Sequence, residues 1–273
     1  MNHSFLTEQN KIMAELSTTQ RLKRIQERLG IEPDGLLGPV TLTAIEDILP
    51  PKPDQQVHSV YSLIVSKKGL DQLVRFEISS EGYYKRFLSA PVFPGGSSGV
   101  TIGIGYDLGY NTPTQIKRDW SGKIPDAAVE LLTEAAGLKG EAAQRESSRL
   151  SGISIPLVAA MTVFYVSVIP RHAAKTASAY PGVESLPADA QAGILSLVYN
   201  RGSSMSGPRR IEMKAIAGLI VNRDLIGIAS QIRAMKRLWE GKGLDGLLNR
   251  RDEEASMVEK AQREYNNAEL IYI

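Results

Sequence analysis

Two carboxylates and a hydroxyl are the residues of this 273-residue chain whose types and spacing best fit a chemical reaction. Glu81 follows an amphipathic stretch, and the glycine-rich run from Gly95 to Gly109 then supplies Thr101 and Asp107. In the cleavage of a glycosidic bond, one carboxyl protonates the leaving oxygen while other groups hold water or offset positive charge on the sugar. The pattern therefore points to the breaking of a sugar–sugar bond.

These residues need a helix end and a hairpin to position them. Residues 60–79 have a mostly helical pattern that ends just before Glu81. Val100, Ile102 and Ile104 alternate with small or polar residues, which predicts short strands and turns over residues 88–106. From Thr112 onward the pattern is helical almost throughout, with prolines at or near the predicted helix starts. The prediction is an α+β fold whose strands all lie near its beginning.

A small helical unit precedes this part of the chain. Leu22, Ile25 and Leu29 recur at helical spacing, and Gly30 stands where a helix ends. A loop and a second helix over residues 41–49 follow, and clustered prolines in residues 50–56 then favour an extended spacer. We therefore predict a helical domain over residues 1–50, a proline-rich linker over 51–59 and a larger domain over 60–273.

Composition sets broad limits on partners and compartment. The net charge is +2, with residues 1–50 carrying 5 Lys and Arg against 7 Asp and Glu. The excess of positive charge over the rest of the chain suits an anionic polymer such as a bacterial wall but is too small to indicate nucleic acid. There is no cysteine, and the first residues lack the pattern of a signal peptide. The apolar stretch over residues 153–169 is predicted to be a buried core helix, so no stable membrane insertion is expected.

The N-terminal string QRLKRIQERLGIEPDGLLGPVTLTAIEDIL resembles the peptidoglycan-binding domain found at the ends of many wall hydrolases. The resemblance covers about thirty residues and is carried by a leucine-bearing helix, an Asp-Gly loop and a helix with alanine. Its matching positions are Leu22, Gln26, Leu29, Gly30, Asp34, Gly35, Gly38, Thr41 and Ala44. It implies that peptidoglycan is the partner, with Asp34, Gly35, Gly38 and Thr41 as candidate binding residues of this module.

The larger part resembles the phage-type lysozymes, or muramidases, most closely those of the pesticin kind. Glu81-Gly82 and the segment TIGIG, residues 101–105, fit their Glu-Gly pair and Thr-Ile-Gly-x-Gly segment. Gly95 stands where the phage enzymes have an aspartate, and Asp107 lies six residues after the threonine, as in the pesticin-like members. The resemblance implies a mostly helical lysozyme-like domain with a small β-hairpin sheet, and Glu81, Thr101 and Asp107 as its catalytic residues.

Two later segments extend this resemblance over about 180 residues. SLVYNRG, residues 196–202, is similar to their Phe-x-Asn-x-Gly segment, with Val198 in place of the aromatic, and it names Asn200 as a substrate-binding candidate. Gly103, Gly105 and Tyr106 of the hairpin are further candidates, since glycines let a sugar chain approach the backbone. GLLNRRDEEA, residues 246–255, resembles the closing Arg-Arg-x-x-Glu helix, and we predict its arginines to be structural ion-pair partners.

Each candidate role has a simpler alternative. Glu81 beside apolar hairpin residues is expected to have its pKa raised by desolvation, although most glutamates are solvated or cap helices. Thr101 is expected to orient water, although strand threonines usually serve packing. Asp107 is expected to activate that water, with turn formation as its alternative. For Asn200 the alternative is a buried asparagine with a structural partner.

The remaining motifs argue against cofactor chemistry. His3, His58 and His172 are scattered without ligand spacing, so we predict no metal and no cofactor. The glycines of the hairpin do not form a dinucleotide fingerprint, and no motif of acyl transfer is present.

Together these features predict a modular muramidase, as in a phage endolysin, that hydrolyses the β-1,4 bond between N-acetylmuramic acid and N-acetylglucosamine. The resemblance implies a monomer that accumulates in the host cytoplasm, reaches periplasmic peptidoglycan after a holin opens the membrane, and inverts the anomeric carbon. A lytic transglycosylase and a non-catalytic wall-binding protein remain alternatives, and an effector or bacteriocin setting is also open.

Overall fold

The computed structural model describes residues 17–48 and 61–273. Over these residues the protein is α+β, mostly helical, with two small two-stranded antiparallel sheets. The predicted proline-rich linker over residues 51–59 lies outside the described residues.

Thirteen α-helices and four strands are named in chain order within the described ranges. They are α1 (Thr18–Arg28), α2 (Pro39–Ile48), β1 (Ile64–Ser66), α3 (Lys67–Ile78), α4 (Glu81–Tyr83), β2 (Thr101–Ile102), β3 (Tyr106–Asp107), α5 (Pro113–Trp120), α6 (Asp126–Glu134), α7 (Glu141–Arg149), α8 (Leu157–Val163), α9 (Ile169–Ala179), α10 (Ala188–Arg201), α11 (Ile211–Val221), α12 (Leu225–Ala234), α13 (Asp245–Glu259) and β4 (Leu270–Tyr272). A π-helical turn follows α4 over Tyr84–Leu88 and another follows α8 over Phe164–Val168.

The described residues fall into two compact units. One contains residues 17–48 and 81–167, and the other contains residues 61–80 and 168–273. The predicted division into a domain over residues 1–50, a linker and a domain over residues 60–273 stays a prediction.

Helix α1 begins and packs through local contacts that its sequence explains in part. Ser17 caps it, with the Ser17 hydroxyl accepting from the Gln20 amide and the Gln20 side chain accepting from the Ser17 amide. The predicted apolar face is only partly buried, since Ile25 is exposed, and Gln26 is the buried residue of the helix. The side chain that lies at the centre of this N-terminal module is therefore a polar one, that of Gln26.

Prolines mark helix starts as predicted. Pro113 begins α5 and Pro170 lies in the first turn of α9, while Pro125, Pro156 and Pro187 stand immediately before α6, α8 and α10. Proline suits these positions because its missing N–H has no partner within the helix there.

The second sheet corrects the prediction that all strands lie near the beginning of the larger domain. Strand β1 pairs with β4, so that Ile64 lies opposite Tyr272 and Ser66 opposite Leu270. Residues 64–66 were expected to be part of a helix. Each strand has only three residues, and its partner lies at the opposite end of the sequence, so a local periodicity cannot reveal the pairing.

One helical stretch, Leu157–Ala179, is long and apolar enough to cross a membrane by length and composition, and half of its most apolar window is buried. Core helices of globular proteins have the same properties. Most residues of the predicted core stretch over 153–169 are buried or half-buried, among them Val163, Phe164 and Ile169.

Candidate functional site

The hairpin brings two of the three predicted catalytic residues together. Strands β2 and β3 are antiparallel, with Thr101 opposite Asp107 and Ile102 opposite Tyr106. Opposite residues of an antiparallel pair place their side chains on the same face, with Cβ atoms about 5 Å apart. Thr101 also exchanges backbone hydrogen bonds with Val92, which adds a third extended segment. The side chains of Thr101 and Asp107 therefore lie next to each other on one face of the hairpin, and the segment at Val92 supports this hairpin.

Asp107 also holds the backbone of the hairpin. Its Oδ1 accepts a hydrogen bond from the Gly109 amide at 2.8 Å, and its Oδ2 accepts one from the Gly99 amide at 3.1 Å. A side chain at position 99 would meet Asp107, since a Cβ there would lie 2.2 Å from Oδ1. Asp107 therefore makes the turn-forming contacts that were the alternative to its catalytic role. A carboxylate has about four lone-pair positions, so two amide contacts leave room for a water molecule.

Glu81 has a different environment from the one expected. It is the first residue of α4, its side chain is 65% exposed, and Oε1 lies 2.7 Å from Nζ of Lys85. The hydrogen bond and the positive charge of Lys85 lower the pKa of Glu81. The expectation that desolvation would raise this pKa is wrong, because the residue stands at a solvated helix start.

Two of the predicted substrate-binding residues in the hairpin lie in the core. The Tyr106 side chain is buried, its hydroxyl donates to Oδ2 of Asp119 at 2.8 Å, and its ring meets Trp120 edge-on. Gly103 has a φ of +57°, and a Cβ there would come within 3.1 Å of Trp120 and Ala160. These contacts give Gly103 and Tyr106 packing roles, and Gly105 is the exposed one of the three predicted residues.

Asn200 lies in the second unit, near the end of α10. Its side chain is exposed, so the alternative of a buried structural asparagine is wrong. Gly202, with a φ of +74°, follows the helix and ends it. Asn200 therefore stays a predicted substrate-binding residue, with a side chain accessible to solvent.

In the N-terminal module, the predicted binding residues surround the buried Gln26. The Nε2 atom of Gln26 lies 2.6 Å from Oδ1 of Asp34 and 2.8 Å from the hydroxyl of Thr41, and its Oε1 accepts from the Gly35 amide at 2.7 Å. Gly38 is also buried, and a Cβ there would touch the ring of Tyr165 at 3.5 Å. The contacts with Gln26 thus give these loop residues a structural role.

Replacing Gln26 by leucine is expected to loosen this loop, because it leaves buried polar partners without hydrogen bonds at about 1–3 kcal/mol each. Amide hydrogen exchange of the full chain checks this, with Gly35 and Leu36 expected to exchange at least tenfold faster, which corresponds to about 1.4 kcal/mol. The same change at the exposed Gln144 of α7 is the control. Equal exchange at Gly35 in both variants would contradict the role given to Gln26.

A groove of about 490 Å³ lies beside α1 within the first unit. Arg21 and Lys123 supply positive charge to its lining, and Leu22, Ile25 and Val158 supply apolar surface. The groove thus combines an apolar lining with two cationic side chains.

A buried charged network in the second unit involves residues that the sequence singled out only in part. Arg250 and Arg251 pair with Glu254 of the same helix, α13, which confirms their prediction as structural ion-pair partners. Arg250 also reaches Glu77 near the end of α3, with Nη1 and Oε1 2.7 Å apart. Glu77 was not predicted as a functional residue. Glu77 lies at the end of the amphipathic helix α3, four residues before Glu81.

The described residues contain no group of three or more His, Asp or Glu side chains placed to hold a metal ion.

A family model matches part of the chain. Residues 73–167 match the model of a domain of unknown function (DUF8812), which covers about a third of the chain. The matched segment includes Glu77, Glu81, Thr101 and Asp107. No curated protein matches the chain.

Proposed function

We propose that this protein is a muramidase that hydrolyses the β-1,4 bond between N-acetylmuramic acid and N-acetylglucosamine in bacterial peptidoglycan. The observation that carries the proposal is the pairing of Thr101 with Asp107 across a glycine-rich hairpin. A hydroxyl and a carboxylate on the same face form a site in which a water molecule can be held and deprotonated.

In the proposed reaction a carboxylic acid donates its proton to the glycosidic oxygen while the bond from that oxygen to C1 of N-acetylmuramic acid breaks. The oxygen of water forms the new bond to C1, and Asp107 accepts the proton that water loses. The sequence-based prediction assigns the acid to Glu81. Inversion at C1 is the expectation for water attack on the face opposite the leaving group.

The N-terminal module is proposed to bind peptidoglycan and so to keep the enzyme at its polymeric substrate. Tethering raises the local concentration of the reacting bond without any new contact at the catalytic residues. The groove that contains Arg21 and Lys123 supports this role, because the peptide stems of peptidoglycan carry carboxylates. An endolysin released to the periplasm by a holin is the proposed biological setting.

A lytic transglycosylase is the second candidate. That reaction needs a single acid–base carboxyl and no activated water, since the sugar closes on its own hydroxyl. The engagement of both Asp107 oxygens with backbone amides favours it, because these contacts reduce the number of lone pairs that can bind water.

Digestion of purified peptidoglycan tests the proposal. We expect the protein to release soluble fragments with new reducing ends on N-acetylmuramic acid. Fragments that carry only 1,6-anhydro ends would establish the transglycosylase instead. Binding to the wall without any release would leave a wall-binding protein that is not an enzyme.

A further inference from the structure

Positive charge is concentrated around the loop of residues 202–210, which joins α10 to α11 in the second unit. Arg201 is the last residue of α10, and Arg209 and Arg210 directly precede the first residue of α11. Within the described ranges, none of these three guanidinium groups has a carboxylate at ion-pair distance. The loop and its flanks therefore carry three charges that no ion pair of the described residues neutralises.

Two buried carboxylates on neighbouring helices are already paired with other arginines. Glu212 of α11 pairs with Arg237, whose Nη2 lies 3.2 Å from Oε2 of Glu212. The same nitrogen of Arg237 donates to the Pro208 carbonyl at 2.9 Å, so this ion pair also anchors the loop. Glu254 of α13 pairs with Arg251. Both carboxylates are thus engaged by arginines outside the loop.

The guanidinium of Arg201 has a fixed position. Its Nη2 donates to the Arg209 carbonyl at 2.5 Å, and its central carbon lies 4.9 Å from the centroid of the Trp239 ring. Its Nε is buried without a hydrogen-bond partner. An arginine has five N–H donors, so one backbone carbonyl leaves most of its hydrogen-bonding capacity unused. Arg201 is therefore an oriented donor that can take further acceptors.

The charges of neighbouring arginines act against the charge of Arg201. Burial lowers the pKa of Arg201, and the positive charges of Arg210, Arg251 and Arg209 lower it further, to about 10, while the charge of Glu212 opposes them. A lowered pKa of a cation means that the folded protein stabilises its charge less well than water does. A bound anion would reverse this imbalance.

The place of Arg209 and Arg210 at the start of α11 adds to the excess of positive charge. No side chain caps this end of the helix, and the first turn of a helix carries a partial positive charge of its own. Cations are therefore unfavourable there and anions favourable. The two arginines weaken the helix start in the free protein, and an anion bound between them would remove this effect.

A phosphate group fits these features best. The loop is accessible, since Arg209 and the serines at 203, 204 and 206 are exposed. A terminal phosphate carries between one and two negative charges at neutral pH and several acceptor oxygens, whereas a carboxylate carries one charge. Guanidinium groups bind phosphate oxygens in pairs with well-defined geometry. Three arginines without carboxylate partners thus match a phosphate in both charge and hydrogen bonding.

We propose that residues 201–210 bind a terminal phosphate group through the guanidinium groups of Arg201, Arg209 and Arg210. The site lies wholly within the second unit. It does not depend on the proposed hydrolysis, because that reaction uses none of these three side chains. The phosphate belongs either to a soluble ligand or to the headgroup of an anionic lipid, since both present the same oxygens.

Titration calorimetry of the full chain with sodium phosphate, at neutral pH and constant ionic strength, tests the site. We expect saturable binding by the wild type and at least about tenfold weaker binding by the double variant Arg209→Gln/Arg210→Gln, which loses two charge-assisted partners. Arg118→Gln/Arg145→Gln, an equal change of charge at exposed positions of α5 and α7, is the control and is expected to bind like the wild type.

Several results would overturn the proposal. They are no saturable binding of phosphate by the wild type, equally tight binding by the Arg209→Gln/Arg210→Gln variant, and equal weakening by the control pair. Acetate that binds as tightly as phosphate at the same ionic strength would contradict the choice of phosphate. Because Arg210 also contacts the sulfur of Met213, Arg209→Gln alone provides a variant at an exposed side chain, and it is expected to bind phosphate at least about threefold more weakly.

Sedimentation with lipid vesicles identifies the source of the phosphate. Binding of the wild type to vesicles that contain phosphatidic acid, but not to phosphatidylcholine alone, together with its loss in Arg209→Gln/Arg210→Gln, assigns the site to a lipid headgroup. Binding of inorganic phosphate without binding to these vesicles assigns it to a soluble ligand.

Discussion

Replacing Glu254 by glutamine is expected to lower the free energy of unfolding by about 3–5 kcal/mol, as when one partner is removed from a buried ion pair. The side chains of Glu254 and Arg251 are both fully buried, and Oε1 of Glu254 also accepts from the Ser196 hydroxyl at 2.6 Å. Glutamine keeps the size of the side chain but removes its charge. Arg250 would keep Glu77 as its counter-charge, whereas the buried guanidinium of Arg251 would lose the carboxylate with which it pairs.

Glu253 offers a control on the same helix. It pairs with Arg75 at 2.6 Å, but both side chains are exposed to solvent, at 44% and 60%, and such pairs contribute about 0–1 kcal/mol. Urea denaturation of the two variants measures the difference. Similar destabilisation by Glu253→Gln and Glu254→Gln would show that the buried network does not hold α13 in the way described.

Replacing Asp107 by asparagine is expected to lower the rate of peptidoglycan hydrolysis by about 10²–10⁴-fold, because the amide cannot accept a proton from water. The asparagine oxygen can still accept from Gly109, but its amide nitrogen would face the Gly99 amide, donor against donor. A loss of stability of about 1–3 kcal/mol is therefore expected as well. Rates measured well below the unfolding transition separate the two effects.

Asp126→Asn, an exposed change at the start of α6, serves as the control for Asp107→Asn. It is expected to leave the rate unchanged. An Asp107→Asn enzyme that is less stable but hydrolyses peptidoglycan at the wild-type rate would assign Asp107 to turn formation alone.

Local patterns in the sequence predicted much of the fold. The alternation of Val100, Ile102 and Ile104 gave the hairpin because strand periodicity is a property of neighbouring residues. Prolines predicted helix starts because the preference of proline for the first turn of a helix is also a local property. The sheet formed by Ile64–Ser66 and Leu270–Tyr272 was missed, since pairing between distant segments leaves no local signal.

The environment of the candidate site was less predictable than its residue types. Sequence placed Glu81 beside apolar residues, but exposure depends on how the chain packs after it turns at Ser79. Gln26 matched a family position, yet its role as the buried centre of a loop follows only from its contacts. The ion pair of Glu77 with Arg250 could not be predicted, because the two residues lie far apart in the sequence.

Digestion of peptidoglycan in water labelled with oxygen-18, followed by mass spectrometry, tests the central claim of glycosidic hydrolysis most directly. We expect one heavy oxygen at the reducing N-acetylmuramic acid end of each new fragment, because the attacking water supplies the oxygen bonded to C1. Fragments with anhydro ends and no label, or an undigested wall with the protein bound to it, would contradict the account.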